Sequence, residues 1–115
     1  MKSSISIKEI QSGIISVAVQ GSFTLDNLHQ VEEALNEALE KGPSILALDC
    51  SAMDYLDSSA IGSLVKFFNK TVNRKIRMIL LDLNEEVLRV LKLIRLEKFF
   101  VIKTRTEFER EFISG

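Results

Sequence analysis

The sequence has little of what builds several common kinds of site. It holds one cysteine, Cys50, one histidine, His29, one proline, Pro43, and five glycines scattered over 115 residues. A single thiol forms no internal disulfide, so a reducing compartment, the cytoplasm, is the simplest expectation. Cys50 has no second thiol and no obvious base, and reads as a small buried residue. His29 sits among polar neighbours on a helical stretch and reads as a surface residue. It leaves a serine nucleophile without a general base. The dispersed glycines form no phosphate-cradling loop, so no nucleotide or other cofactor is expected. No apolar run approaches the roughly 20 residues of a membrane span, so no membrane insertion is expected. Met1-Lys2-Ser3-Ser4 leads straight into an alternating pattern, unlike a signal peptide. A net charge of −1 gives no electrostatic case for nucleic acid.

What is present is ordinary for a globular chain. Hydrophobic residues make up 46% and charged residues 27%, enough for one domain over 1–115 with a core that needs no disulfide or metal. Residues 4–10 alternate, residues 14–20 are rich in β-branched side chains, and Gln11-Ser12-Gly13 between them is a turn, which predicts a hairpin. Gly21 to Thr24 ends the second strand, and Thr24 is placed to cap the next helix. From 25 to 41 the pattern is helical: Leu28, Val31, Leu35, Ala38 and Leu39 share a face opposite Glu32, Glu33 and Glu40. Lys41-Gly42-Pro43 stops it. Ile45 to Leu48 is a strand buried on both faces. Residues 50–56 read as a short connection with Tyr55 and Leu56 packed beneath it. A helix runs from Ser58 to about Val72, and a core strand covers 76–81. Asp82 or Asn84 opens a third helix over 85–96, whose apolar residues cover more than one face: either it is well buried, or part of it is left exposed for a partner. Residues 99–102 form a last strand. Thr104 caps a final helix over 105–112 with Phe108 and Phe112 turned inward, and Gly115 closes the chain. The predicted order is β-β-α-β-α-β-α-β-α. That is an α/β domain with a mixed sheet of about five strands and four helices.

The stretch Leu56-Asp57-Ser58-Ser59-Ala60-Ile61-Gly62 stands between a strand and a helix. Ile61, Leu64, Val65 and Phe68 fall on one face of that helix. Ser58 is expected at or next to its N-cap, with the hydroxyl near the surface at the positive end of the helix dipole. The position has two readings. Ser58 either caps the helix, or is a regulated hydroxyl whose phosphorylation adds about two negative charges beside Asp57. Asp49, Asp54 and Asp57 lie beyond a strand end, where open α/β sheets bind ligands. No His or further carboxylate cluster joins them, so loop solvation and capping are expected rather than a metal site. An enzyme built on Ser58 or Ser59 lacks both the flanking glycines of a nucleophile elbow and a base.

With these pieces placed, the chain resembles the STAS domain, in particular the stand-alone bacterial anti-sigma factor antagonists. The likeness rests on the hairpin, Gly21 at the end of the second strand, the strand closing on Leu48-Asp49, and Tyr55-Leu56-Asp57-Ser58-Ser59-Ala60-Ile61-Gly62 before a helix. It spans nearly the whole chain. The resemblance implies partner switching. An anti-sigma factor serine kinase binds the unmodified antagonist and frees a sigma factor. Phosphorylation of the serine after the aspartate releases the antagonist, and a PP2C-type phosphatase resets it. By position the phosphoacceptor is Ser58, less readily Ser59. The contact surface comprises Asp57, Ser58, Ser59, Ala60, Ile61 and Thr24, and the domain has no catalysis of its own. Ala60 stands where many antagonists carry glycine, and Thr24 near where an acid is common. The fold also serves as a subunit of other signalling or transport assemblies in which the serine is not modified. A Ser- or Asp-based enzyme is a further alternative.

Overall fold

A computed structural model describes residues 4–113; Met1 to Ser3, Ser114 and the closing Gly115 lie outside the described residues. The hairpin is present as β1 (Ser4–Gln11) and β2 (Ile14–Phe23), antiparallel. Gly13 makes the turn at φ +83, a left-handed conformation that glycine adopts without steric cost. A 3₁₀ turn (Leu25–Asn27) precedes α1 (Leu28–Glu40). Next come β3 (Ile45–Asp49), β4 (Met53–Leu56), α2 (Ser58–Asn73), β5 (Arg77–Leu81), α3 (Glu85–Leu93), β6 (Val101–Lys103) and α4 (Arg105–Phe112).

The mixed sheet runs β1-β2-β3-β5-β6, and every pair except the hairpin is parallel. From β2 the chain steps always in one direction across the sheet. Right-handed crossovers therefore place α1, α2 and α3 on the same face. Their buried side chains, among them Leu35, Leu64, Phe67 and Leu91, join Val17, Leu46, Leu48 and Leu80 in the larger core cluster. The opposite face carries Ile14, Ile45, Ala47, Ile79 and Leu81, and α4 covers it with Phe108. The central strands are apolar at successive positions because both faces are covered.

The predicted five strands and four helices are all found, and a sixth strand lies where a connection was expected. Residues Gly21 to Phe23 of β2 run beyond β3 and pair in parallel with β4. The register shifts there: Gly21 opposes Met53 but Ser22 opposes Tyr55. The extra residue is a bulge that resets the alternation of faces. Met53 and Leu56 thus both turn into the core, while Asp54 and Tyr55 both stay outside. The expectation that Tyr55 packs inward is corrected for this reason; it is 55% exposed. The third helix ends at Leu93, short of residue 96, because Arg95 takes a left-handed φ of +61. Val87 and Leu91 are buried, whereas Leu93 and Ile94 are exposed. The last strand starts at Val101, since the Phe99 N–H turns back to the Leu96 carbonyl.

Candidate functional site

The end of the sheet where β2, β4 and α2 meet is organised by Asp57. It is the N-cap of α2, in extended conformation, and its Oδ1 accepts the Ala60 N–H at 2.9 Å. Its Oδ2 accepts the Leu25 N–H at 3.1 Å, and its own N–H donates to the Phe23 carbonyl at 3.3 Å. One carboxylate thus ties the 3₁₀ turn after β2 to the start of α2. The turn is closed by Thr24 and Asn27. The Thr24 hydroxyl accepts the Asp26 N–H, and Asn27 Oδ1 accepts the Thr24 N–H. The Asn27 amide also donates to the Ser22 carbonyl at 2.8 Å.

Ser58 is therefore not the cap. It is the first residue of α2, exposed, and among the described residues its hydroxyl has no hydrogen-bond partner. Ser59 comes next, half-buried. Ala60 is fully buried, and Ile61 packs against the core, so these two shape the helix start from below. Thr24 is half-buried and engaged in its own turn. Behind the helix start, buried Ser63 donates to Glu32 Oε2 on α1 at 2.7 Å, and Lys66 lies 3.5 Å from the same oxygen. The Ser63 hydrogen bond, together with Lys66, holds the Glu32 carboxyl below the usual range against the opposing effect of burial.

The three aspartates beyond the strand ends do not converge. Asp49 accepts from the Ser51 N–H and hydroxyl and pairs with Arg105 at 2.7 Å. Burial works against its charge, and the Ser51 bonds and Arg105 outweigh it, so its carboxyl lies below the ordinary range. Asp54 faces the Ser22 hydroxyl at 3.4 Å, and Asp57 caps α2. Among the described residues no three metal-ligating side chains come together. Cys50 is fully enclosed, and burial pushes its thiol well above the usual range. His29 is exposed on α1.

Two exposed apolar residues outside the expected contact surface share this end of the molecule. Leu25 is 66% exposed beside Asp57, and Tyr55 projects from the bulge. The Thr24-x-x-Asn27 spacing was the available signal for Leu25, because reciprocal capping closes a turn there and lifts Leu25 off the α1 face. Between β4 and α3 runs a cleft of about 120 Å³ lined by Asp54, Tyr55, Leu56, Glu86, Val87 and Val90. Asn84 fixes its floor: its side chain caps α3 at the Val87 N–H and donates to the Met53 carbonyl.

A family model for the STAS domain matches residues 6–109. The chain belongs to the STAS domain family. It is 28% identical to the anti-sigma-B factor antagonist of Listeria monocytogenes over 103 residues, 90% of each chain. A solved structure of a candidate anti-sigma factor antagonist from Thermotoga maritima superposes with a TM-score of 0.83 at 24% identity, covering 93% of this chain and 92% of that one. The anti-sigma factor antagonist SpoIIAA in its unphosphorylated form superposes at 0.72 with 15% identity, covering 93% and 94%. Its phosphorylated form, from Bacillus, superposes at 0.69 with 15% identity, covering 90% and 95%. These structural likenesses establish the fold.

Proposed function

We propose that this STAS domain is an anti-sigma factor antagonist that works by partner switching. Unphosphorylated, it binds an anti-sigma factor serine kinase in the cytoplasm and thereby frees a sigma factor. Phosphorylation of Ser58 releases it, and a PP2C-type phosphatase removes the phosphate. The observation that carries this reading is the state of the Ser58 hydroxyl: exposed, without a hydrogen-bond partner among the described residues, and relieved of capping by Asp57. A serine needed as the cap would have its oxygen engaged and would lose that bond on modification. Here the oxygen is available to a kinase and the helix start does not depend on it. The added phosphate would carry about −1.5 to −2 charges at a helix N-terminus beside Asp57, and would have to be desolvated inside any close contact. The likeness to a fold solved both with and without phosphate is in keeping with this chemistry. On this reading Ser58 is a substrate and the chain itself catalyses nothing.

The test is a pull-down from native lysate with wild type, Ser58→Ala and Ser58→Asp as baits, the captured proteins being identified by mass spectrometry. A serine-kinase-fold protein held by the first two and released by the third is the expected result. If all three baits hold the same transporter or scaffold instead, the serine is no switch and the domain serves another assembly.

A further inference from the structure

The net charge of −1 conceals a segregation. Residues 9–65 carry nine acids and one cation, Lys41, whereas residues 66–115 carry twelve cations and seven acids. The end that displays Ser58 is built mostly from the anionic part, joined by the acidic start of α3. Residues 22–27, 53–65 and 84–88, which form the 3₁₀ turn, β4, the start of α2 and the start of α3, contain no Lys or Arg. Asp26, Asp54, Glu85 and Glu86 are exposed there, and the two cations that directly follow these segments, Lys66 and Arg89, are paired with Glu32 at 3.5 Å and with Glu86 at 2.8 Å. Set among these acids are the exposed Leu25 and Tyr55 and the small cleft whose floor is Leu56, Val87 and Val90. An exposed tyrosine lining an apolar cleft, with an exposed leucine at the same end and acids around them, is the pattern of a protein contact with a water-excluded centre.

Resting on the proposed role of Ser58, we infer that the cleft between β4 and α3, together with Leu25 and Tyr55, is the docking surface, and that its occupant is a protein presenting a cationic rim around an apolar side chain that enters the cleft. Charge complementarity selects that occupant: an acidic or neutral partner gains nothing from an acidic rim whose flanking cations are already paired, and a basic one is steered to it from a distance. The two parts of the surface then act on different rates. The exposed acids set how fast the partner arrives, and the apolar anchors set how long it stays. A phosphate on Ser58 would raise the negative potential seen at a distance by a cationic partner, so on this arrangement it expels the partner through the dissociation rate, by crowding and desolvation in the closed contact.

The test measures association and dissociation rates with the purified anti-sigma serine kinase encoded in the same genome. For wild type, association should slow about tenfold or more between low salt and a few hundred millimolar, where screening reaches within a few ångströms. The triple variant Asp26→Asn/Asp54→Asn/Glu86→Gln should associate about tenfold more slowly at low salt and lose most of that salt dependence. Lys41→Gln/Lys75→Gln, away from this end, should leave both rates unchanged. Leu25→Ala and Tyr55→Ala should each dissociate about tenfold faster with association little changed. Because these side chains are exposed, circular dichroism and the thermal midpoint should match wild type. Ser58→Asp should raise the dissociation rate without slowing association. If the triple variant and both alanine variants behave as wild type while Ser58→Asp still breaks the complex, the docking inference falls and partner switching stands. If the anchors and acids matter but Ser58→Asp does not, the docking surface stands and the switch falls. If wild type does not bind the kinase, both fall.

Discussion

The two oxygens of Asp57 serve different elements, and this lets the neighbouring serine remain unbound. Oδ1 holds the first turn of α2 and Oδ2 holds the turn after β2. Asp57→Ala removes both bonds and leaves two N–H groups to find water, so it should cost about 1–2 kcal/mol or somewhat more. Ser58→Ala removes an exposed hydroxyl with no partner among the described residues and should stay within about 0.5 kcal/mol of wild type. Urea denaturation of the two variants measures the contrast. Equal losses would mean that the serine secures the helix start as much as the aspartate does. Cys50 offers a second check at this scale. Its thiol is enclosed and pushed toward the neutral form by burial, so alkylation at neutral pH should proceed only as fast as the chain opens. Alkylation of the native protein at the rate of a free thiol would place Cys50 at the surface instead.

Among the elements, those with a complete local pattern were legible in the sequence. The helix at Arg105–Phe112 was legible to its true bounds because Thr104 and Glu107 form a reciprocal cap that spacing alone reveals. β4 was not legible, because its existence depends on a partner thirty residues away. Met53 and Leu56 are three apart, a spacing that suits neither an unbroken strand nor a helix until the bulge opposite Gly21 is known. The exposure of Tyr55 was hidden for the same reason, while the Thr24 cap and the site motif at Asp57 and Ser58 were visible because their settings are local. Gly21 takes φ +89 where β2 passes from β3 to β4, so Gly21→Ala should lose about 1–2 kcal/mol to left-handed strain. The helix ends make the converse point. Lys75 and Arg95 sit in left-handed conformations, each succeeded by an N–H that bonds five residues back, from Ile76 to Thr71 and from Leu96 to Leu91. Glycine is the favoured residue in that motif and stands at neither place, so the end of α3 was read three residues late, while that of α2 was read to within one residue from the polar run after Val72. Lys75→Gly should accordingly stabilise the fold by about 0.5–1 kcal/mol, read as a rise in the urea midpoint. An unchanged or lowered midpoint would show that the lysine makes compensating contacts.

Over the whole molecule, the sheet is held between three helices on one face and α4 alone on the other, and α4 is fastened by charge at its start. The Arg105 N–H donates to Asp82 Oδ1 at the end of β5, and its guanidinium pairs with Asp49 at the end of β3. The clip therefore joins two parallel strands to the one helix covering that face, and its strength depends on pH through Asp49. The folded state holds the Asp49 carboxyl below its ordinary value, so the unfolded chain binds the proton first as pH falls. The stabilisation is complete above the unfolded value, about pH 4, and is lost as pH drops through the lower folded value. Glu32 and Glu107 are lowered as well, by the Ser63 hydroxyl and the Thr104 N–H respectively, and add to the same acid limb. Asp49→Asn removes one contributor to that limb. It should be less stable than wild type at pH 7 and converge toward it as pH falls below about 4. Arg105→Gln should behave alike but converge less fully, because the Ser51 bonds remain to hold the carboxylate. Urea midpoints across that range decide the matter. Curves that run parallel to wild type at every pH would mean that α4 is held by the packing of Phe108 alone, and that the charged clip contributes no proton-linked stability.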